Sequence, residues 1–215
     1  LENIFHQLKN NEWAELIGLH AHIGSQIFEV QPHRDLADVM VKVLELGRKI
    51  GHPIDIINVG GGLGIRYISS DDPPSISQWV KVISTSILDA CRNRSVELPV
   101  LMCEPGRSIV ATAGLTLYEI GSKKHIPGMK TYLSIDGGMS DNPRPITYQS
   151  DYSACLVHKP LIPPEQIVTI AGKHCESGDV LLHNLSLPTC NSGDIFGVFS
   201  TGAYNFSMSS NYNRI

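Results

Sequence analysis

Short apolar segments alternate with longer amphipathic segments through the first half of the sequence. Strands are predicted at 17–23, 54–59 and 100–103, and helices with apolar residues at helical spacing are predicted at 33–50 and 76–91. Because the strands are apolar throughout and helices separate them, the pattern predicts a parallel sheet buried on both faces. A closed eight-stranded barrel of this kind takes about 250 residues. We therefore expect residues 1–114 to form only the C-terminal part of a (β/α)8 TIM-like barrel.

The second half of the sequence differs, because turn-rich segments rather than helices separate its apolar segments. Strands are predicted at 115–120, 131–135, 166–171, 180–183 and 195–200, with no amphipathic helix between them. Turn sequences such as Asp136-Gly137-Gly138 lie between these strands. The sequence therefore predicts the α/β plus all-β class, in which a truncated β-rich domain, sandwich-like or barrel-like, at 115–215 follows the partial barrel.

Composition and charge exclude several classes of protein. Hydrophobic residues make up 42% of the chain and charged residues 18%, which is typical of a folded protein and not of a disordered one. No apolar run approaches the roughly 20 residues that a membrane span requires. The formal net charge of -4 provides no basic surface for nucleic acid. We therefore expect neither a nucleic-acid partner nor membrane insertion.

The cysteines indicate the compartment. There are 5 of them, scattered along the chain without Cys-x-x-Cys spacing. Such a set argues against a disulfide framework and a cysteine zinc site, and it favours a reducing compartment, so we expect a cytoplasmic protein. The chain begins with Leu1-Glu2-Asn3, which is neither an initiator methionine nor a signal peptide, and this suggests an internal fragment.

Polar or glycine-rich residues stand at the end of each predicted strand in the first half. The first strand ends in His22-Ile23-Gly24-Ser25, the second in Gly60-Gly61-Gly62, and the third in Glu104-Pro105-Gly106-Arg107. Active sites of βα barrels form at the carboxyl ends of their strands. The three segments therefore predict one shared site at that edge of the sheet.

The glycine run fits two of the known glycine motifs poorly. The last glycine of a dinucleotide-binding fingerprint would fall on Ile65, and the Gly-Lys-Ser/Thr of a P-loop is absent. Two interpretations remain open from the residues alone. The run is either a loop whose bare backbone N–H groups bind a phosphate or a tight turn that needs positive φ angles.

The histidines and the Glu-x-x-Arg segment also carry alternatives. His20 and His22 lie two apart on a strand and share a face, so they could hold a metal, stack on an aromatic cofactor, or be core residues. Neighbouring strands offer no further His or Asp ligands, so we predict no metal site. Glu104 and Arg107 could form a structural ion pair, or could separately hold a ring nitrogen and an anion.

The β-rich half contains three polar clusters of its own. They are Asp136-Gly137-Gly138-Met139 with Arg144 and Tyr148, then Cys175-Glu176-Ser177-Gly178-Asp179, and finally Gly202-Ala203-Tyr204. The second cluster recurs as Cys190-Asn191-Ser192-Gly193-Asp194, so Ser-Gly-Asp is interpreted as a turn used twice. Only Glu176 distinguishes the first copy chemically, which makes that residue a functional candidate. Without further context, we expect Cys175 to be an ordinary buried thiol.

Together these segments resemble the alanine-racemase-type (fold type III) amino acid decarboxylases that use pyridoxal 5'-phosphate, and most of all the diaminopimelate decarboxylases. The matching strings are GLHAHIGSQI, NVGGGLGI, EPGRSIVATAG, DGGMSDNPRPITY, CESGDV and GAYNFSMSSNYN. They run in the family's order from Gly18 to Asn213, nearly the whole chain. The resemblance implies decarboxylation of meso-2,6-diaminopimelate to L-lysine and CO2, the last step of lysine biosynthesis.

The resemblance also implies roles for matched residues. The cofactor-binding residues would be His22, Ser25, Gly61, Gly62, Glu104, Pro105, Gly106, Arg107 and Tyr204, and the substrate-binding residues Arg107, Arg144, Tyr148, Glu176 and Tyr204. His22 would stack on the pyridine ring and Glu104 would pair with its nitrogen, while the glycines and Arg107 would bind the phosphate. Cys175 would be the catalytic residue that returns a proton to the substrate. In this family Cys175 and Glu176 would reach the partner subunit's site, which implies a homodimer with shared active sites.

One family element has no counterpart here. These enzymes hold the cofactor as a Schiff base on a lysine upstream of the histidine motif, and no lysine of this chain stands in a matching context. We therefore expect a fragment of a longer enzyme, inactive when isolated. Two alternatives stay open: a related ornithine or arginine decarboxylase, whose substrate lacks the distal carboxylate that Arg144 would bind, and a non-catalytic homologue that binds a partner protein.

Overall fold

The computed structural model describes residues 1–214 and divides them into two compact units. The first unit is Leu1–Ile65 with Asp72–Ser108, and the second is Arg66–Asp71 with the chain from Ile109 onward. Within the described residues, no helix has both the length and the apolar character needed to cross a membrane.

The first unit is built from helices and short parallel strands. Its elements are α1 (Glu2–Lys9), β1 (Gly18–His20), α2 (Gln31–Ile50), β2 (Ile56–Asn58), α3 (Ile76–Arg94) and β3 (Val100–Met102), and α4 (Arg107–Val110) begins in it. The strands form one sheet in the order β1-β2-β3, with both pairs parallel. The predicted parallel sheet is therefore confirmed.

Local signals fix the ends of the two long helices. Ser75 caps α3 by accepting a hydrogen bond from the Gln78 backbone N–H, and the Gln78 side chain accepts from the Ser75 N–H in return. Helix α2 has a proline in its first turn and ends at Gly51, whose φ of 101° is a left-handed conformation that glycine adopts without strain.

The core of the first unit lies between the helices and the sheet. Leu44 of α2, Ile57 of β2 and Trp79 of α3 are almost fully buried in one apolar cluster. The sequence expectation of a sheet buried on both faces is wrong for β3, in which Val100 is 55% and Met102 46% exposed. Within residues 1–214 β3 is an outer strand, so only β2 flanks it in the sheet.

The second unit is a mostly antiparallel sheet. Its strands are β4 (Leu115–Ile126), β5 (Lys130–Ile135), β6 (Ala154–Leu156), β7 (Gln166–Ala171), β8 (Val180–Leu187) and β9 (Ile195–Phe199). The order is β6-β9-β4-β5-β7-β8, and only β5 and β7 pair in parallel. Long strand β4 pairs with β9 along its first half and with β5 along its second, and its register shifts between Ile120 and Lys123. This shift allows one strand to serve both parts of the sheet.

The helical segments of the second unit are short. They are α5 (Arg144–Tyr148) and the 3-10 turns Ala111–Ala113, Phe206–Met208 and Tyr212–Arg214. The core residues of the sheet are Ile120, Leu133, Leu156, Ile170 and Phe196, each fully buried. Each of the five strands predicted for this half is present, whereas three-residue β6 and five-residue α5 were not predicted because such short elements produce no periodicity.

Candidate active site

The carboxyl ends of the three parallel strands lie side by side. The register pairs His20 with Asn58 and Asn58 with Met102, and these residues are the last of β1, β2 and β3. Backbone hydrogen bonds continue past the strands: the Ala21 N–H donates to the Asn58 carbonyl at 3.0 Å, and the Glu104 N–H donates to the Gly60 carbonyl at 2.8 Å. The predicted convergence of the strand ends is confirmed.

The glycine loop after β2 packs backbone against backbone. A Cβ on Gly61 would lie 2.4 Å from the Glu104 carbonyl oxygen, and one on Gly62 would lie 2.6 Å from the Gly24 carbonyl oxygen. Gly60 and Gly62 also have φ angles of 68° and 102°. The run therefore forms a tight turn with positive φ angles, and the same turn brings bare backbone to the strand ends, so the two interpretations are compatible.

His22 is tied to this loop at one ring atom. The Gly61 backbone N–H donates to His22 Nδ1 at 3.2 Å, so Nδ1 is an acceptor and the neutral ring carries its proton on Nε2. The side chain is otherwise exposed. An imidazole fixed at one edge and open elsewhere is suited to stacking on a planar ring.

The Glu104 carboxylate is held by the two neighbouring strands. Asn58 donates from Nδ2 to Oε1 at 2.8 Å, and His20 Nε2 lies 3.3 Å from both carboxylate oxygens. These contacts stabilise the ionised form more than burial opposes it, so the pKa of Glu104 lies below its ordinary value. The Glu104 side chain is 52% exposed, so its charged carboxylate is accessible at the carboxyl ends of the strands.

Arg107 and Gly106 follow Glu104 and differ from it in their surroundings. Arg107 is buried, and its guanidinium donates to Ser25 Oγ at 2.8 Å. A Cβ on Gly106 would meet nothing within 4 Å, so no neighbour in this chain requires glycine there. Bare backbone next to a guanidinium is a surface that an anion can approach closely. An accessible carboxylate (Glu104), an exposed imidazole (His22) and an anion-binding surface (Gly106 and Arg107) are the groups that pyridoxal 5'-phosphate requires for its ring nitrogen, its ring face and its phosphate.

In the second unit the Cys175–Asp179 turn is anchored by its last residue. Asp179 is buried, and its two carboxylate oxygens accept from the backbone N–H groups of Met139 at 2.7 Å and His174 at 2.9 Å. The Asp179 N–H donates to the Glu176 carbonyl at 3.0 Å, and the Asp194 N–H donates to the Asn191 carbonyl at 3.2 Å. The predicted repeated turn is therefore confirmed. The expectation of a buried thiol is wrong, because Cys175 lies on the outside of the first copy of this turn and is exposed.

Glu176 is oriented by its own turn and by a tyrosine that the sequence analysis gave no role. The Gly178 N–H donates to Glu176 Oε1 at 3.3 Å, and the Tyr212 hydroxyl donates to Oε2 at 3.2 Å. These hydrogen bonds, the one from Gly178 first, lower the pKa of Glu176. The exposed, ionised Glu176 carboxylate therefore belongs to the residue that directly follows Cys175 in the sequence.

Arg144 lies in a different environment from Cys175 and Glu176. It is only 6% exposed, donates from Nη1 to the Tyr152 hydroxyl at 2.5 Å, and has its Cζ 4.6 Å from the centre of the Tyr67 ring. Such a cation–π contact stabilises a buried guanidinium. The structure therefore does not place Arg144 among the exposed candidates.

The two candidate tyrosines are both accessible. Tyr148 ends α5 and is 62% exposed, and Tyr204 is 39% exposed with a φ of 61°. A left-handed conformation in a residue other than glycine is uncommon and concentrates at functional sites. Seven other non-glycine residues of the described part of the chain also have a positive φ, so Tyr204 stays a candidate because of its exposure and not because of its backbone.

Three surface grooves lie between α2 and α3, around His52 and Arg94, and beside the β4–β5 turn, and no candidate residue lines them. Within residues 1–214, no group of three His, Cys, Asp or Glu side chains is arranged to hold a metal ion.

Comparison with known proteins defines the class to which this architecture belongs. Residues 2–111 match the family described as pyridoxal-dependent decarboxylase, pyridoxal binding domain. The chain therefore belongs to the pyridoxal-dependent decarboxylase family.

Individual relatives extend the similarity to the whole chain. The chain is 51% identical over 215 residues to a diaminopimelate decarboxylase of Synechocystis, covering 100% of this chain and 46% of that protein. It is 46% identical over 207 residues to one of Bacillus methanolicus, covering 96% and 48%. A diaminopimelate decarboxylase of M. jannaschii crystallised with L-lysine superposes with a TM-score of 0.90 at 32% identity, covering 98% of this chain and 48% of that one. The chain thus spans about half the length of these relatives.

Two glycine substitutions test the packing of the loops that follow β2 and β3. Gly61→Ala should lower the free energy of unfolding by about 1–3 kcal/mol, because its Cβ would collide with the Glu104 backbone. Gly106→Ala should change it by no more than about 1 kcal/mol, because open space surrounds that position. Urea unfolding followed by circular dichroism measures both, and equal destabilisation by the two would contradict the described packing.

Proposed function

We propose that a full-length enzyme containing this chain is a diaminopimelate decarboxylase, which converts meso-2,6-diaminopimelate to L-lysine and CO2. One observation carries the proposal: the ionised Glu104 carboxylate lies at the same strand edge as the glycine loop and the Arg107 guanidinium. The similarity to diaminopimelate decarboxylases along the whole chain supports this substrate.

The residues of the first unit would bind and orient the cofactor. Backbone N–H groups of Gly62 and Gly106, with Arg107, would hold the phosphate, and Ser25 and Pro105 would line the same surface. Gly61, whose N–H donates to His22 Nδ1, would contribute the absence of a side chain next to the phosphate. His22 would stack on the ring, and the fixed negative charge of Glu104 would keep a proton on the ring nitrogen. When bound, pyridoxal phosphate withdraws the electrons that remain on the substrate carbon when CO2 leaves.

Residues of the second unit would recognise the substrate and complete the reaction. The far end of diaminopimelate is an L-amino acid group with an ammonium and a carboxylate. Glu176, ionised and held by Tyr212, would bind the ammonium. Arg107 would serve the carboxylate together with Arg144, whose guanidinium would have to leave its buried contacts with Tyr67 and Tyr152 to do so. Tyr148 and Tyr204 would supply further contacts. The Cys175 thiol would return a proton to the substrate carbon, which requires the exposure that Cys175 has.

The larger architecture is part of the same proposal. Residues 1–114 would form the C-terminal part of a (β/α)8 barrel, and 115–215 part of a β-rich domain. The enzyme would be a homodimer in which Cys175 and Glu176 enter the partner's active site. The exposure of Cys175 and Glu176 supports this assembly, because residues that enter a partner's active site must be accessible on their own chain.

Glu176→Gln tests the substrate assignment in the full-length enzyme. Loss of the charged partner of the substrate ammonium should reduce kcat/KM for diaminopimelate by about 30-fold to several thousand-fold, equivalent to about 2–5 kcal/mol. Glu165→Gln is the matched control, because Glu165 is an exposed carboxylate bonded to Thr189 outside the candidate site. CO2 release measures both, and wild-type kcat/KM in Glu176→Gln would show that another residue binds the distal amine.

Complementation between variants tests the shared site. One full-length variant lacks the lysine that holds the cofactor, and the other carries Cys175→Ala, so both homodimers should be nearly inactive. In a mixed dimer with sites shared across the two-fold axis, one site carries both lesions and the other is wild type. Random reassortment should therefore restore about a quarter of wild-type activity at equal total protein.

CO2 release after co-expression measures this recovery, with native mass spectrometry to count mixed dimers. If mixed dimers form and no activity returns, both residues belong to one subunit's own site and the shared-site proposal is wrong.

A further inference from the structure

We propose that Asn58 and His20 are positioning residues that fix the Glu104 carboxylate for the cofactor's ring nitrogen, an inference that rests on the proposed function. Neither residue is among the cofactor-binding or substrate-binding residues proposed above.

The register places the three side chains on one row. His20, Asn58 and Met102 are paired neighbours across β1, β2 and β3. Glu104 stands two residues beyond Met102, and side chains two apart point to the same side of extended chain. The Glu104 N–H bond to the Gly60 carbonyl at 2.8 Å holds this extension against the glycine loop. The carboxylate therefore comes within reach of Asn58 and His20.

The Asn58 amide is used at both ends. Its Oδ1 accepts from the Gly60 N–H at 2.9 Å, and its Nδ2 donates to Glu104 Oε1 at 2.8 Å. Since the oxygen faces a donor and the nitrogen faces an acceptor, the orientation of the amide is determined. Asn58 thus links the glycine loop, which would hold the phosphate, to the carboxylate that would hold the opposite end of the cofactor. The amide sets the spacing between them.

His20 provides the second restraint. Its Nε2 lies 3.3 Å from both oxygens of Glu104, and the two side chains are equally exposed. A carboxylate with donors on two sides cannot rotate freely, and its remaining acceptor sites face outward. The charged groups that act on Glu104 are His20 and, less strongly, His22, and each favours its ionised form when protonated. When the Glu104 carboxylate is ionised, the proton between it and the cofactor's ring nitrogen would stay on the nitrogen.

Two pairs of variants separate positioning from general structure. Asn58→Leu removes both bonds at similar size, and His20→Phe removes the ring nitrogen from an exposed site. His20→Gln keeps a donor and should restore the behaviour lost in His20→Phe. Asn93→Leu is the control, because Asn93 is exposed on α3 and away from the cluster.

The first measurement uses the full-length enzyme without pyridoxal phosphate. Carbon-13 NMR titration of the Glu104 carboxyl should give a pKa below the ordinary glutamate value in the wild type and in Asn93→Leu. Asn58→Leu and His20→Phe should each raise it towards the ordinary value. An unchanged pKa in both would overturn the inference.

The second measurement uses the full-length enzyme loaded with pyridoxal phosphate labelled with nitrogen-15 in the ring. The ring-nitrogen chemical shift should report a protonated nitrogen in the wild type and loss of that proton in Glu104→Gln. Asn58→Leu and His20→Phe should lose the protonated signal at lower pH than the wild type and bind the cofactor roughly tenfold more weakly.

The outcomes distinguish the proposed role of Glu104 from the positioning role of Asn58 and His20. If Glu104→Gln leaves the ring signal unchanged, the proposed role of Glu104 fails and the inference fails with it. If Glu104→Gln shifts the signal while Asn58→Leu and His20→Phe do not, the proposed function stands and the positioning role is wrong. If Asn58→Leu is too unstable to label, the His20→Phe and His20→Gln pair gives the same decision.

Discussion

The in-register parallel pairing of β1, β2 and β3 determines where every candidate residue of the first unit lies. Each strand has only three residues, and His20, Asn58 and Met102 end them side by side. The chain then leaves each strand at the same edge, and glycines allow the three exits to touch through their backbones. The packing of α2 and α3 on the sheet keeps this edge in place, because Leu44, Ile57 and Trp79 share one buried cluster. Chemistry and packing thus depend on one register.

In the second unit, a buried charged residue holds the turn that carries Cys175 and Glu176. The Asp179 carboxylate accepts two backbone N–H groups and holds the turn that displays Cys175 and Glu176. A buried carboxylate is stable only when such donors replace water. Gly138 and Gly172 leave room for it, since a Cβ on either would lie under 3 Å from its oxygens. An exposed thiol and an exposed carboxylate are therefore presented by a rigid support.

The sequence predicted the regular elements better than the contacts between them. Apolar periodicity located α2, α3 and the parallel strands, and the repeated Ser-Gly-Asp identified a turn that the structure contains twice. Asn58 was missed because one amide at the end of an apolar strand produces no pattern. Tyr212 contacts Glu176 across 36 residues of sequence, and Arg144 lies against Tyr67, which is also remote in the chain. Such long-range partners are fixed by tertiary packing, which one sequence does not display.

If the glycine loop, Arg107 and Glu104 together form a pyridoxal phosphate site, a crystal structure of the full-length enzyme with the cofactor bound will show it. We expect the phosphate beside the glycine loop on the N–H groups of Gly62 and Gly106, and the ring nitrogen about 2.7–2.9 Å from a Glu104 oxygen. A phosphate bound elsewhere, or a ring nitrogen that faces a group other than Glu104, would contradict it.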